Sequence, residues 1–124
     1  MIIKDLKGDE LDAAVAQCLD LDVRLAPGVG TMYLIYRDGF VDGMLPKYST
    51  VWNEGGPIIQ EMMKNGMEIL ALDEQYQDRL PIFKATIDRW ETVYRGDTVL
   101  ETGLRCFVAK VIGDEDKLME RLTK

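Results

Sequence analysis

The feature that most restricts the fold is a capped amphipathic segment between residues 98 and 113. Thr98-Val99-Leu100-Glu101 has capping-box spacing, in which the threonine oxygen and the glutamate satisfy amides at a helix start. An apolar stripe follows at helical intervals, formed by Leu100, Leu104, Phe107, Val108 and Val111. We therefore predict a long helix with one face in the core, ending at Gly113.

Three further helices are predicted from the same kind of spacing. Asp9 is placed to cap a first helix over residues 10–19, with Leu11, Val15, Cys18 and Leu19 on one face. Pro57 is expected at the first position of a second helix, which Asn65-Gly66 ends. Its apolar stripe consists of Ile58, Ile59, Met62 and Met63. A short amphipathic helix is predicted over residues 116–122.

The remaining patterns indicate β-strands in hairpins. Residues 32–36 are rich in β-forming residues, and Asp38-Gly39 predicts a tight turn into a short return through Phe40 and Val41. Residues 20–30 are interpreted as a loop, and residues 67–72 and 82–88 as strands, with strand character continuing to Tyr94. Because no βαβ spacing occurs, we expect one α+β domain over residues 1–124 with an antiparallel sheet packed against two or three helices.

The charge balance and the apolar runs exclude several classes of partner. Fifteen basic and twenty-two acidic residues give a net charge of −7 with no basic run, which disfavours binding to nucleic acid. No apolar run is long enough to span a membrane, so no membrane partner is expected. The first residues do not have the pattern of a secretory signal, and we therefore expect a cytoplasmic protein.

The absence of histidine lowers the expectation of catalysis. It removes the usual general base near neutral pH and the commonest metal ligand. Cys18 and Cys106 fall in apolar helical patterns without a CxxC pair, which favours buried thiols over a zinc site. We expect no enzyme activity, metal or cofactor. A carboxylate-based hydrolase is the last alternative, because its candidate acids lack catalytic spacing: Asp12, Asp73, Glu74, Asp78 and Asp114.

The segment from Tyr48 to Ile59 is the candidate ligand site. Gly55 and Gly56 permit close approach of a ligand, and the amides that open the predicted second helix favour an anion. Aromatic rings and hydroxyl or amide groups nearby supply stacking and hydrogen bonds. The predicted ligand-binding residues are Tyr48, Ser49, Thr50, Trp52, Asn53, Gly55, Gly56, Ile58 and Arg105.

A purely structural interpretation of the same residues stays open. Ser49 and Thr50 then form a turn, Trp52 fills the core and the glycines only bend the chain. Arg105 lies beside the apolar stripe, where it pairs with a carboxylate such as Asp12 or reaches a ligand phosphate. Pairing is the favoured role of Arg105, because partly buried arginines usually have an acidic partner.

Three blocks of the sequence together resemble the NinX-type family of small phage and prophage proteins. The blocks are Leu6-Lys7-Gly8 with residues 11–16, Tyr48 to Ile59, and Gly96-Asp97-Thr98 with residues 100–110 and 113–115. The chain departs from the family pattern at Ala13, where an aromatic is usual, and at Tyr48, where proline is frequent. The resemblance implies a phage origin and a role in an infected bacterial cytoplasm, but no biochemical activity.

Two functions from different classes follow from these patterns. The first is a non-catalytic pocket protein that binds an anionic, nucleotide-like molecule and sequesters a host defence signal. The alternative is a protein-binding module that inhibits or redirects a host protein, such as a defence protein. We expect a homo-oligomer, because pockets often form where small subunits meet.

Overall fold

The computed structural model describes residues 3–25, 33–72, 82–87 and 92–112. Within them, a 3₁₀ turn over Ile3–Asp5 precedes three helices: α1 (Gly8–Cys18), α2 (Trp52–Lys64) and α3 (Val99–Ile112). The same described residues contain six strands: β1 (Asp22–Leu25), β2 (Tyr33–Arg37), β3 (Phe40–Met44), β4 (Glu68–Leu72), β5 (Ile82–Ile87) and β6 (Thr92–Gly96). The predicted α+β class with antiparallel strands is confirmed, although the described strands form two three-stranded sheets.

Helix α3 is the centre of the core. It packs against α1, α2, β5 and β6, and its residues Leu104 and Val108 are fully buried. The threonine half of the predicted capping box is present, because the Glu101 amide donates to the Thr98 hydroxyl at 3.1 Å. The Glu101 carboxylate pairs with Arg105. Val111 is half exposed, so the predicted core stripe ends one turn earlier. The predicted Gly113 helix end and the helix over residues 116–122 lie outside the described residues.

The first sheet has the order β1-β2-β3 and contacts the core through α1. Asp38 and Gly39 form the predicted tight turn, with φ angles of 54° and 86° that suit these two residue types. The return strand reaches Met44 and is therefore longer than predicted. Strand β1 lies in the segment interpreted as loop, where Val23 is buried opposite Ile35.

The second sheet has the order β4-β5-β6 and packs against α3. Ile87 pairs with Thr92, so the chain reverses between β5 and β6. The prediction of one strand continuing to Tyr94 is therefore wrong. Local alternation of apolar and polar residues identified the strands but does not encode the reversal between them.

The first two helices begin earlier than predicted. Lys7 is the N-cap residue of α1, and Asp9 lies within the first turn. The negative charge of Asp9 there interacts favourably with the positive end of the helix dipole. Helix α2 begins at Trp52, so Pro57 is its sixth residue instead of its first. The predicted end is confirmed, with Asn65 as the C-cap and Gly66 at a φ of +101°.

No helix among the described residues combines the length and the apolarity that crossing a membrane requires.

Candidate functional site

The loop between β3 and α2 is held by its own backbone and by α1. The amides of Thr50 and Val51 donate to the Lys47 carbonyl at 3.3 and 2.9 Å. The Ser49 amide donates to a carboxylate oxygen of Asp12 at 2.7 Å, in a buried position. Tyr48 and Ser49 are both buried. Ser49 therefore holds the loop on α1, as the structural interpretation of this segment expects.

The two glycines of α2 are required by close packing. A Cβ atom at Gly55 would overlap the Tyr48 carbonyl and lie 3.0 Å from the Leu100 side chain. At Gly56, a Cβ would lie 2.6 Å from the indole of Trp52, which folds over this glycine. Real Cβ atoms do not approach other atoms this closely. Gly55 and Gly56 therefore allow the start of α2 to pack against the Tyr48 carbonyl and the Trp52 indole.

The amide donors expected at Ile58 and Ile59 are not available to a ligand. Both residues lie inside α2, where an amide donates to the carbonyl four positions earlier. The prediction that they open the helix is wrong, because it took Pro57 as the first helical residue. The first-turn amides, which have no helical carbonyl to donate to, belong to Trp52 and Asn53.

Trp52 lies at the surface. Its side chain is 49% exposed, and Thr50, Val51 and Asn53 are also exposed. The interpretation of Trp52 as a core residue is therefore wrong. The loop presents an aromatic ring and polar groups to solvent, next to the start of a helix.

An open, mostly apolar groove of about 520 Å³ borders this loop. Its volume is in the range of small-molecule pockets. Its lining residues are Met44, Leu45, Pro46, Lys47, Tyr48 and Glu54. Together with the exposed Val51 and Trp52, these residues form a patch that we call the 44–54 surface. Met44 lines the groove and is 75% exposed, so a large apolar side chain contacts solvent there.

The charged residues that line the groove balance each other. Tyr48 and Glu54 both line it. Burial raises the pKa of Tyr48, and the charges of Glu54 and then Asp12 raise it further. Burial also raises the pKa of Asp12, with a further contribution from the charges of Asp9 and Glu54. Among the described residues that line the groove, Lys47 is the basic one and Glu54 the acidic one. An anionic ligand would therefore meet one positive and one negative side chain in this lining, with the buried Asp12 behind it.

Arg105 has a structural environment. Its Nε donates to the Leu6 carbonyl and its Nη1 to the Arg95 carbonyl, each at 2.7 Å. Its Nη2 lies 3.1 Å from a carboxylate oxygen of Glu101. The predicted structural pairing is present, but the partner is Glu101, one helical turn away, and not Asp12. Each of the three nitrogens of the guanidinium group therefore has a protein partner.

The structure thus groups the predicted ligand-binding residues into two sets. Tyr48, Thr50, Trp52 and Asn53 lie on or beside the groove, whereas Ser49, Gly55, Gly56, Ile58 and Arg105 serve loop packing, helix structure or ion pairing. The sequence interpretation missed Met44 and Glu54 as part of the same surface. Met44 lies outside the Tyr48–Ile59 segment, and Glu54 lies inside it without an assigned role; their proximity depends on how the loop folds back.

Within the described part of the chain, no three cysteine or acidic side chains come close enough to bind a metal ion. Cys18 and Cys106 are not joined in a disulfide; Cys106 is buried and Cys18 is partly buried.

No protein-family model matches the chain, and no curated protein matches it in sequence.

Proposed function

We propose that the protein is a non-catalytic binding protein that engages a partner protein through the 44–54 surface. The observation that supports this proposal is the exposure of large apolar side chains beside an open apolar groove: Met44 at 75%, Trp52 at 49% and Val51 at 38%. Methionine and aromatic residues are enriched at protein interfaces, and tryptophan is frequent among the residues that dominate binding energy.

The chemistry of the surface favours a partner with apolar and basic groups. Lys47 and Glu54 balance each other among the described lining residues, whereas the whole chain carries a net charge of −7. Complementary charge accelerates association and excludes acidic partners. Because three sequence blocks resemble the NinX-type phage proteins, we propose that the chain has a phage origin and that its partner is a host protein of the bacterial cytoplasm.

Capture from bacterial lysate by immobilised protein tests this proposal when it is combined with surface variants. We expect Met44→Glu and Trp52→Glu to lose the captured host protein, because each places a charge in an apolar contact. Met63→Glu is the matched control, since Met63 is also exposed, at 50%, but lies at the other end of α2. Equal capture by all three variants would contradict the proposal.

A nucleotide-like anion is the second candidate ligand. It is supported by the first-turn amides of Trp52 and Asn53, which lie beside a half-exposed indole on which a base can stack. A ligand present at about a thousandfold excess over Kd adds roughly 4 kcal/mol to the stability of the folded protein. A panel of cyclic and linear nucleotides should then raise the melting temperature of the wild type and not of Trp52→Ala. No shift with any nucleotide would reject this candidate.

The same surface is our proposed contact for a homo-oligomer. In that case sedimentation velocity gives an oligomer for the wild type and a monomer for Met44→Glu. If the wild type is a monomer at high concentration, the proposed homo-oligomer is wrong.

A further inference from the structure

Asp12 is a buried carboxylate that joins α1 to the loop before α2. It is 3% exposed, and it accepts the Ser49 amide at 2.7 Å across 37 positions of sequence. The Ser49 hydroxyl donates to the Gly8 carbonyl at 3.5 Å, in the first turn of the same helix. One loop residue is thus held by α1 through both its backbone and its side chain.

The position of Ser49 determines the geometry of the groove. Tyr48 precedes it, and the Tyr48 side chain lines the groove. The Tyr48 carbonyl lies against Gly55 so closely that a Cβ atom would not fit. A displacement at Ser49 would therefore move one wall of the groove and the first turn of α2 together.

The groups that surround Asp12 disfavour its charged form. Asp9 comes from its own helix, Glu54 from α2 and the Tyr48 phenol from the loop. On α3, which also packs against α1, Arg105 is paired with Glu101. Burial raises the pKa of Asp12, and the hydrogen bonds from Ser49 oppose this effect without cancelling it. An apolar side chain at this position would be less costly to bury, but it could not accept the hydrogen bond from the Ser49 amide.

We propose that Asp12 is the positioning residue of the 44–54 surface, acting through the Ser49 amide to hold Tyr48 and the start of α2 in the arrangement that the partner contacts. Asp12 itself does not touch the partner, because it is buried beneath the loop. This inference depends on the proposed function for its biological meaning, but its structural part is measurable without a partner.

Amide hydrogen exchange on three variants tests the structural part. Asp12→Ala removes the acceptor, and we expect the Ser49 amide to exchange roughly tenfold to a hundredfold faster, the factor that corresponds to a lost buried hydrogen bond. Asp12→Asn keeps a carbonyl oxygen in the same place and should restore slow exchange. Val15→Ala is the control, because it opens a cavity in the same helix without removing the acceptor of the Ser49 amide. Val15→Ala should accelerate exchange of the Ser49 amide and of the Leu104 amide in α3 by the same factor.

A second signature distinguishes positioning from general stabilisation. In the wild type, the Ser49 amide chemical shift should titrate with the Asp12 carboxyl, whereas in Asp12→Asn it should not. Unchanged Ser49 exchange in Asp12→Ala, or an acceleration no larger than that at Leu104, would overturn the inference.

Partner capture then separates this inference from the proposed function. We expect Asp12→Ala to lose the host protein, and Asp12→Asn and Val15→Ala to retain it at a temperature where all are folded. If Met44→Glu loses capture but Asp12→Ala retains it, the positioning role is wrong and the proposed function stands. If none of the variants changes capture, the proposed function fails, and the exchange rates alone decide whether Asp12 holds the loop.

Discussion

Replacement of Arg105 by alanine should be among the most destabilising changes in the chain. The Arg105 side chain is 9% exposed and connects three separate parts of the fold. It donates to Leu6 before α1 and to Arg95 in β6, and it pairs with Glu101 in α3. The alanine variant leaves two carbonyl oxygens and a carboxylate without this donor group in a poorly hydrated position.

The expected loss follows from these contacts. Removing one partner of a buried ion pair costs about 3–5 kcal/mol, because the remaining charge and acceptors stay desolvated. A domain of this size is stable by roughly 5–15 kcal/mol, so the change removes a large fraction of the total. With a urea dependence of about 1–3 kcal/mol per molar, the midpoint of urea unfolding should fall by roughly 2 M.

Two variants provide the comparison in the same assay. Arg105→Lys keeps the positive charge but cannot reproduce the planar set of donors, so its midpoint should lie between wild type and Arg105→Ala. Arg24→Ala removes an exposed ion pair with Asp22 and should change the midpoint little. If Arg105→Ala unfolds at the same urea concentration as Arg24→Ala, the structural role of Arg105 is refuted. Loss of nucleotide binding in such a stable variant would instead assign Arg105 to a ligand site.

Three further predictions concern single side chains. The folded-state pKa of Asp12 is raised above its ordinary value of 3.8, so its contribution to stability is fully present below that pH and is lost as pH rises through the folded pKa. Asp12→Asn does not titrate, and in chemical denaturation its stability relative to wild type should therefore increase from about pH 4 upward; a constant difference would contradict the raised pKa. Gly55→Ala should cost about 1–3 kcal/mol in thermal unfolding, because its methyl group meets the Tyr48 carbonyl, whereas Gly43→Ala, which faces open space, should be close to neutral. Thr98→Ala should cost about 1 kcal/mol through loss of the α3 cap, and an unchanged melting temperature would show that the cap is dispensable.

The predictable part of the fold is the part encoded locally. The cap at Thr98 and the stripe that follows lie within one helix, so sequence spacing was sufficient to predict α3. The Asp38-Gly39 turn was predictable for the same reason, since the two residues themselves favour positive φ. In contrast, the division of the strands into two sheets depends on pairings between distant segments, which no local pattern specifies.

The start of α2 shows how a sound local rule gave a wrong boundary. Proline is common at the first helical position, and this preference placed the start at Pro57. The helix instead begins at Trp52, where Gly55 and Gly56 let it pack against the Tyr48 carbonyl and the indole. The donors assigned to a ligand were misplaced for this reason.

The candidate site was only partly predictable. The exposed Trp52 lies in the segment that the sequence singled out, and the groove borders the same loop. The burial of Ser49 against Asp12 was not foreseeable, because the two residues are 37 positions apart. The partner of Arg105 was foreseen as a carboxylate, but the helical neighbour Glu101 takes that place.

Hydrogen exchange across the whole chain, measured with and without the captured host protein, tests the proposed binding surface most directly. We predict that the partner slows exchange at amides of residues 44–54 and leaves those of β4 and β5 unchanged. Slowed exchange confined to other segments, with residues 44–54 unaffected, would contradict the account.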